Sequence, residues 1–295
     1  MNEAVLELLD PGLGVSFQDL GRRGWRRFGV PPGGALDDHA SRWANRLLGN
    51  PLGVPVLEVL LHGAQWRALR RVEVSVAGAS VPHDPAQPDR WHTRTLEEGD
   101  RFSIPPSPSG VWSYLGVRGG FVADRWFGSV SAFPRGGLGE PLSAGAVLYR
   151  RAQAWPSWPS GVGQRWLDPA EQRDYASPPP LPVWPGPQWN LFPQAARDAL
   201  FDTEWRVSSR CDRTGYRLEG EPLPVPGESI LSEPVLPGSL QVPPDGRPIV
   251  TLRDGPTVGG YPKIALLDPR FLAWLVQCRS SQSIRFVPVG DGTKS

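Results

Sequence analysis

Glycine and proline divide this sequence into short segments, in a way that is typical of a turn-rich β protein. The 295 residues include 34 glycines and 35 prolines, which are dispersed among apolar runs and form no low-complexity tract. Short apolar or alternating runs between such residues are typical of strands. These runs predict strands at 4–10, 72–78, 111–119, 146–150, 204–209, 248–254 and 283–289.

Helices are expected at few places. Apolar residues at helical spacing over 36–48, with Asp37 or Asp38 as the N-cap, predict one helix. Asp268 is followed by a proline, and this pair predicts the start of a second helix because proline is favoured at the first helical position. The same pair at Asp168 predicts a weaker third helix.

The overall charge gives no reason to expect a nucleic acid or a membrane surface as a partner. The chain carries 31 basic and 30 acidic residues, for a formal net charge of +1. Its start lacks the basic residues and long apolar run of a signal peptide, and no segment approaches the roughly 20 apolar residues that span a bilayer. We therefore expect a cytoplasmic protein.

Several chemistries are disfavoured because the sequence lacks their motifs. No GxxxxGKS or GxxxxGKT loop is present, so any ATP site is of another type and could be shared with a partner. Cys211 and Cys278 are far apart and predict neither a disulfide framework nor a zinc site. The histidines have no ligand spacing, so we expect no metal site; they are His39, His62, His83 and His92.

The chain is long enough for two domains. Residues 151–182 are rich in proline and tryptophan and poor in strand pattern, so we expect them to connect the two. This interpretation places an N-terminal β domain at 1–150 and a C-terminal β domain at 183–295.

An internal repeat indicates that the two β domains arose by duplication. The segment RRGWRRFG at 22–29 reappears as RTGYRLEG at 213–220. A fold-defining turn is needed in every copy, whereas an active site is usually needed once, so the repeat favours a shared turn. Gly24 and Gly215 would then occupy a bulge or a positive-φ position. The repeat does not decide the role of its arginines, which could either bind an anion or brace the turn.

Longer segments carry a family resemblance. The run VSFQDLGRRGWRRFGVPPGGALDDHASRWANRLLGNP, followed by LEVLLHG, resembles the opening of the biotin-dependent carboxyltransferase-like family. Further matches follow in the family's order and cover nearly the whole chain: YLGVRGGF, DRTGYRL, GSLQVPPDGRPIV and GGYPKIA. The family includes allophanate hydrolase subunit 2, the kinase-inhibitor antagonist KipA and the C-type subunit of the prokaryotic 5-oxoprolinase.

The resemblance implies a mainly β protein of two cyclophilin-like β-barrel domains with a few short helices. It implies an enzyme subunit that helps an ATP-dependent complex to open 5-oxoproline to glutamate, together with a smaller B-type, KipI-like protein and a hydrolytic A-type protein. Two alternatives stay open: transfer of a carboxyl group from carboxybiotin to urea or another small amide, and a non-enzymatic KipA-like antagonist. The chain lacks the Met-Lys-Met context of a biotinylated lysine, so we expect that it carries no biotin.

This sequence departs from the family pattern at five places, and the departures affect the expected substrate contacts more than the expected fold. Cys211 and Thr214 flank the second Asp-Arg pair, where the family usually has serine and methionine. Pro256 and Val258 replace a glutamine and a threonine, and Glu140 stands where an arginine is common.

The candidate catalytic residues surround the motif GGYPK. Lys263 follows a glycine-rich turn, where a lysine could bind a carboxylate or phosphate or serve in proton transfer; the alternative is a solvated lysine beside a strand. Asp254 could pair with Lys263, and the Tyr261 hydroxyl could donate a hydrogen bond.

A second set of residues is expected to bind substrate or an anion. Arg22 and Arg213 suit a carboxylate, with Asp212 as an orienting neighbour or a simple turn acid. The backbone of Gly33 and Gly34, before a helix start, suits an anion, although Asp37 would compete by capping the helix. The remaining candidates come from the family motifs: Gly259, Gly260, Thr257, Gln241, Asn45 and Glu58.

Overall fold

The computed structural model describes residues 1–79, 91–152, 164–227 and 230–290. The chain divides into two compact units, the first formed by Met1–Arg22 and Gly33–Ala176 and the second by Arg23–Pro32 and Ser177–Ser295. His83 and the part of the expected connection at 153–163 lie outside the described residues.

The first unit contains ten strands in two antiparallel sheets. They are β1 (Asn2–Pro11), β2 (Val15–Gln18), β3 (Val56–Leu60), β4 (Ala64–Ala68), β5 (Val72–Gly78), β6 (His92–Leu96), β7 (Arg101–Ser103), β8 (Trp112–Val117), β9 (Phe121–Val122) and β10 (Val147–Arg151). The strand orders are β7-β4-β1-β10-β9 and β2-β3-β8-β5-β6. Both sheets contribute to one apolar core that includes Leu6, Trp66, Val74 and Leu115, so the two sheets pack around a shared interior.

One helix, α1 (Asp38–Leu47), packs against β5 and β8 of the second sheet. All six residues of β8 are buried, as expected for a strand that is covered on both faces. Gly116 permits the close approach, because a Cβ there would lie 3.1 Å from a methyl group of Leu48. The bounds of α1 confirm the helix predicted over 36–48, and Asp37 is its N-cap.

The second unit is built around an eight-stranded sheet. Its elements are β11 (Leu181–Pro185), α2 (Gln194–Asp202), β12 (Trp205–Val207), β13 (Gly215–Glu219), β14 (Glu233–Pro234), β15 (Ser239–Gln241), β16 (Ile249–Thr251), β17 (Val258–Gly259), β18 (Lys263–Leu267), α3 (Leu272–Leu275), β19 (Ser283–Ile284) and β20 (Phe286–Pro288). The sheet order is β19-β12-β13-β16-β15-β18-β11-β20, and β14 pairs with β17 in a separate ribbon. Only Arg285 separates β19 from β20, so the two ends of the sheet come together and the barrel is nearly closed.

The prediction of a mainly β fold with few short helices is confirmed. The strand predicted at 72–78 matches β5 residue for residue, and the run 283–289 is divided into two strands. The second predicted helix is a short turn at Pro269–Phe271 that leads into α3, and the third is only a 3-10 turn at Pro169–Glu171.

The expectation that the two copies of the repeat share a turn is wrong. In the first copy, Arg26–Phe28 forms a 3-10 turn, and Gly24 has a φ of 86°. In the second copy, Gly215–Glu219 is strand β13, where Gly215 pairs with Thr251 of β16. The similar glycine and arginine spacing does not determine the backbone, because sheet pairing of the second copy overrides it.

None of the helices in the described ranges is long and apolar enough to cross a membrane.

Candidate functional site

The centre of the candidate site is a buried lysine at the start of β18. Lys263 is 3% exposed, and its Nζ atom lies 2.6 Å from Oε1 of Glu233, on the ribbon formed by β14 and β17. Gln188 holds both residues: its Nε2 donates to the same Oε1 atom at 2.7 Å, and its Oε1 accepts from the backbone N–H of Lys263 at 3.0 Å. The ion pair is therefore fixed by a side chain from a third segment.

The carboxylate of this pair is much more exposed than the ammonium. The Glu233 side chain is 36% exposed, and hydrogen bonds from Lys263 and then Gln188 hold its pKa below the usual value. Glu233 thus stays ionised at neutral pH and compensates the buried charge of Lys263. Sequence reasoning missed both Glu233 and Gln188, because neither belongs to a recognisable motif and both reach Lys263 only through the fold.

Gln241 lies beside Lys263 across the sheet. The two residues are paired between β15 and β18, and Gln241 Nε2 donates to Thr251 Oγ1 at 2.7 Å. A Cβ on Gly259 would lie 3.0 Å from Gln241 Oε1, so glycine at 259 lets the ribbon approach the glutamine. At Gly260 the nearest described atom to such a Cβ is Ser232 Oγ at 3.4 Å, which is an ordinary contact.

Thr257 and Tyr261 border this cluster in different ways. The carbonyl oxygen of Thr257 accepts from the backbone N–H of Val235 at 2.9 Å, which extends the ribbon by one hydrogen bond. Tyr261 is 46% exposed and lies two residues before Lys263. Tyr261 is therefore largely accessible to solvent.

A second charged pair, Arg213 with Asp254, lies in the same unit. Arg213 Nε donates to Asp254 Oδ2 at 2.7 Å and Nη2 donates to Oδ1 at 3.2 Å, a two-point contact with a carboxylate that is 5% exposed. The expected pairing of Asp254 with Lys263 is wrong, because Glu233 occupies that role.

Asp212 organises the turn before β13. Its Oδ1 atom accepts from the backbone N–H groups of Thr214 at 2.8 Å and Gly215 at 3.3 Å, and also from the Thr214 hydroxyl. These contacts place Asp212 in the role of a turn acid.

The two charged pairs lie at opposite ends of a polar row. Lys263 is on β18, Gln241 on the adjacent β15 and Thr251 on the next strand, β16, which pairs with β13 just after Arg213. Three strand spacings of about 4.8 Å, roughly 14 Å in all, separate β18 from β13 in the sheet order.

Arg22, in the first unit, is 1% exposed and donates through Nη2 to the carbonyl oxygen of Ser131. Gly33 and Gly34 have φ values of 61° and 94°, and a Cβ on Gly33 would lie 3.1 Å from Arg22 Nη1. Gly33 thus permits close packing against the buried arginine, and Gly34 permits close packing against the backbone of residues 19–21. This geometry supports the interpretation that Arg22 braces its loop, and anion binding by the glycine backbone stays a prediction.

Sequence reasoning also missed Asp19, which joins the Arg22 loop to residues about 110 positions later. Its carboxylate accepts from Ser129 Oγ at 2.5 Å, Ser131 Oγ at 2.9 Å, and the backbone N–H groups of Val130 at 3.0 Å and Gly21 at 2.8 Å. The position of Asp19 just before a run of glycines and arginines marks it as a candidate in the sequence. Its serine partners cannot be identified in this way, because they are about 110 residues away along the chain.

The N-terminus of α1 is occupied by the protein's own carboxylates. Asp37 Oδ1 accepts from Ala40 N at 2.9 Å, and Tyr175 donates to Oδ2 at 2.7 Å. Glu58 Oε2 accepts from Leu36 N and from the Tyr114 hydroxyl, each at 2.8 Å. The expectation that Asp37 caps the helix is confirmed.

Burial, together with the nearby charges of Glu58 and Asp37, raises the pKa of Tyr114 well above its usual value. Asn45 also has an internal role, since its Nδ2 donates to Val54 O at 3.0 Å and its Oδ1 accepts from Asn50 at 3.1 Å. Asn45 therefore closes the turn after α1.

The cysteines and histidines form no metal-binding group in the described part of the chain. Cys211 and Cys278 are free thiols. His39 packs against the Trp91 ring at 5.9 Å, and burial followed by the charge of Arg173 lowers its pKa.

Similarity to known proteins agrees with this architecture. The model of the carboxyltransferase domain, subdomain A and B, matches residues 28–288, and the chain belongs to this family. It is 32% identical to the C-type subunit of 5-oxoprolinase from Haemophilus influenzae over 97% of this chain and 91% of that protein.

Two solved structures have the same fold. The crystal structure of TTHA0988 is 36% identical with a TM-score of 0.85; the alignment covers 96% of this chain, which spans 55% of that one. The urea amidolyase of Kluyveromyces lactis is 26% identical, with a TM-score of 0.81. The alignment covers 98% of this chain but only 19% of the amidolyase chain.

Proposed function

We propose that this chain is the C-type subunit of an ATP-dependent 5-oxoprolinase and helps partner subunits to open 5-oxoproline to glutamate. The observation that carries the proposal is the similarity to the C-type subunit of the Haemophilus influenzae enzyme along 97% of this chain and 91% of the relative. A match over nearly the full length of a separate subunit supports that role more strongly than a match to one part of a larger enzyme.

The second-unit cluster provides groups that suit this chemistry. A lactam resists attack because of amide resonance, and phosphorylation by ATP at the carbonyl oxygen would activate it. Lys263 would stabilise negative charge on the substrate or its acyl-phosphate-like intermediate through its ammonium, which Glu233 holds in position while Gln188 fixes Glu233 and the Lys263 backbone. The ligand would reach the ammonium from the side of the partly exposed Glu233 carboxylate.

Arg213 would bind a carboxylate or phosphate group at the other end of the polar row. Asp254 fixes the plane of its guanidinium through two hydrogen bonds, while the arginine side chain remains 18% exposed. Tyr261 would donate a hydrogen bond from its exposed hydroxyl, and the backbone of Gly260 would allow a ligand close approach.

The proposed partners are a smaller B-type, KipI-like protein and a hydrolytic A-type protein, and ATP would be shared with them. Exposed apolar side chains near the ribbon suit such contacts: Leu231 is 92% exposed and Val258 is 55% exposed. The proposed location is the cytoplasm, where ATP is available and the free thiols of Cys211 and Cys278 are stable.

The proposal is tested by co-expressing this chain with the A-type and B-type proteins and measuring glutamate release from 5-oxoproline. We expect release that requires ATP and that stops when this chain is omitted. The proposal fails if the complete mixture releases no glutamate, or if the rate is the same without this chain.

Carboxyl transfer is the second candidate, favoured by the family match and by the similarity to urea amidolyase. The same cations would then hold the carboxyl group during its transfer from carboxybiotin to urea or another small amide. Incubation with a carboxylated biotin carrier and urea separates the two functions, because only this candidate predicts urea-dependent loss of carboxybiotin.

A further inference from the structure

The first unit contains a cavity of about 410 Å³ that the proposed function does not use. It opens beside strands β2, β9 and β10. The lining residues are Asn2, Phe17, Val122, Ala123, Asp124, Trp126, Val130, Ala132, Gly139, Glu140, Leu142 and Tyr149.

The frame of this cavity is fixed by backbone hydrogen bonds. Ala132 N donates to Phe17 O at 3.1 Å and Leu142 N donates to Val15 O at 2.7 Å, so the segment between them is attached to β2 at both ends. On another side, β9 pairs with β10. The cavity is therefore formed before any ligand arrives, which lowers the entropic cost of binding.

One wall is the Trp126 ring, which a strained turn holds in place. Trp126 and Ser129 exchange two backbone hydrogen bonds of 2.8 and 3.1 Å, while Phe127 between them has a φ of 53°. A Cβ on Gly139 would lie 2.9 Å from the Trp126 ring, so only glycine lets the indole occupy this position. A bulky residue at positive φ costs stability and is commonest where function requires the conformation.

The cavity is aromatic and negatively charged. Asp124 and Glu140 are exposed at its edge, and neither carboxylate makes a hydrogen bond or ion pair with any described residue. No lysine, arginine or histidine is among the described lining residues. The neighbouring Arg125 is directed elsewhere, because its Nη1 donates to Gly128 O at 2.8 Å and lies 3.7 Å from Asp19 Oδ2.

We propose that this cavity binds a small organic cation, a primary ammonium or guanidinium group attached to an apolar body. The aromatic rings of Phe17, Trp126 and Tyr149 would contact the body and attract the positive charge, and the two carboxylates would pair with it. The volume lies within the range of small-molecule sites. Glu140 is a position where the family usually has arginine, but none of the lining residues is among those proposed to contact 5-oxoproline, so the two proposals are tested separately.

The test uses the full chain and benzylammonium as the probe, with benzyl alcohol as a neutral molecule of similar shape. Binding is measured by calorimetry and by ligand-observed NMR. We expect benzylammonium to bind about tenfold more tightly than benzyl alcohol. The double variant Asp124→Asn and Glu140→Gln should remove this preference, whereas Glu98→Gln, an exposed acid of the same unit outside the cavity, should preserve it.

Gly139→Ala provides a second measurement, since the added methyl group must displace the Trp126 ring. We expect this variant to lose binding of both probes. The proposal is overturned if benzylammonium and benzyl alcohol bind equally, if neither binds at millimolar concentration, or if the double variant keeps the preference for the cation. Because the two acid substitutions are exposed, their result does not depend on whether Gly139→Ala folds.

Discussion

The Nζ atom of Lys263 lies 2.6 Å from Oε1 of Glu233, and the two side chains differ sharply in exposure, 3% against 36%. The ammonium is enclosed by protein, whereas the carboxylate reaches solvent. Removing one member of this pair therefore has a different consequence from removing the other.

We predict that Glu233→Gln destabilises the protein more than Lys263→Met. The first change leaves a buried ammonium without its carboxylate and should cost about 3 kcal/mol, while the second leaves a carboxylate that water can solvate and should cost about 1 kcal/mol. Urea unfolding followed by circular dichroism measures both, with Arg247→Met as an exposed control in the same unit. Equal losses for the two variants would contradict the observed burial.

The contact between Arg213 and Asp254 should be energetically significant. A double-mutant cycle with Arg213→Met and Asp254→Asn should give a coupling free energy of about 1 to 2 kcal/mol, because two charge-assisted hydrogen bonds are lost together. The exposed pair Arg42 and Asp38, 3.6 Å apart, is the control and should give under about 0.5 kcal/mol. A coupling free energy for Arg213 and Asp254 no larger than that of the control pair would show that this contact stabilises the protein no more than an exposed ion pair does.

The adjacent glycines 259 and 260 should respond differently to alanine. Gly259→Ala places a methyl group 3.0 Å from Gln241 Oε1 and from a Val235 methyl group, so we expect a loss of about 1 kcal/mol in unfolding free energy. Gly260→Ala meets only an ordinary contact with Ser232 and should fold with unchanged stability. If a ligand approaches the backbone here, Gly260→Ala raises the KM of the reconstituted complex. An unchanged KM would remove Gly260 from the site.

Cys278 should make stability fall at alkaline pH. Burial raises the pKa of its thiol from 9.0 to about 12, so the native protein keeps a proton that the unfolded chain releases. The stabilisation is complete below pH 9 and is lost as the pH rises toward 12, with a slope of up to about 1.4 kcal/mol per pH unit. Urea unfolding at several pH values should show that the free energy of unfolding of Cys278→Ala falls less steeply at alkaline pH than that of the unchanged protein. A decline as steep as that of the unchanged protein would contradict this assignment.

Local patterns predicted much of the fold. The run VEVSVAG alternates and is bounded by turn residues, so β5 could be assigned from sequence with its observed bounds. Helix α1 was equally clear because its apolar spacing, its cap and its stop all agree. By contrast, α2 begins after Pro193 without a side-chain cap, so its start lacks the usual sequence signal of a helix.

The site was less predictable because its contacts are not local. Lys263 could be selected from its motif, but its partners Glu233 and Gln188 come from positions 30 and 75 residues away along the chain. The repeat was misleading for the related reason that strand pairing, rather than the motif, determines the conformation of Gly215.

The most direct test of the proposed function is the turnover of Lys263→Met in the reconstituted complex with the A-type and B-type proteins. We predict that the complex assembles normally and that ATP-dependent glutamate release falls by about 100-fold or more. The reason is that the negative charge of the transition state loses the Lys263 ammonium that stabilises it. Arg247→Met should leave the rate unchanged. Full activity of Lys263→Met, in a complex that still requires this chain, would contradict the account.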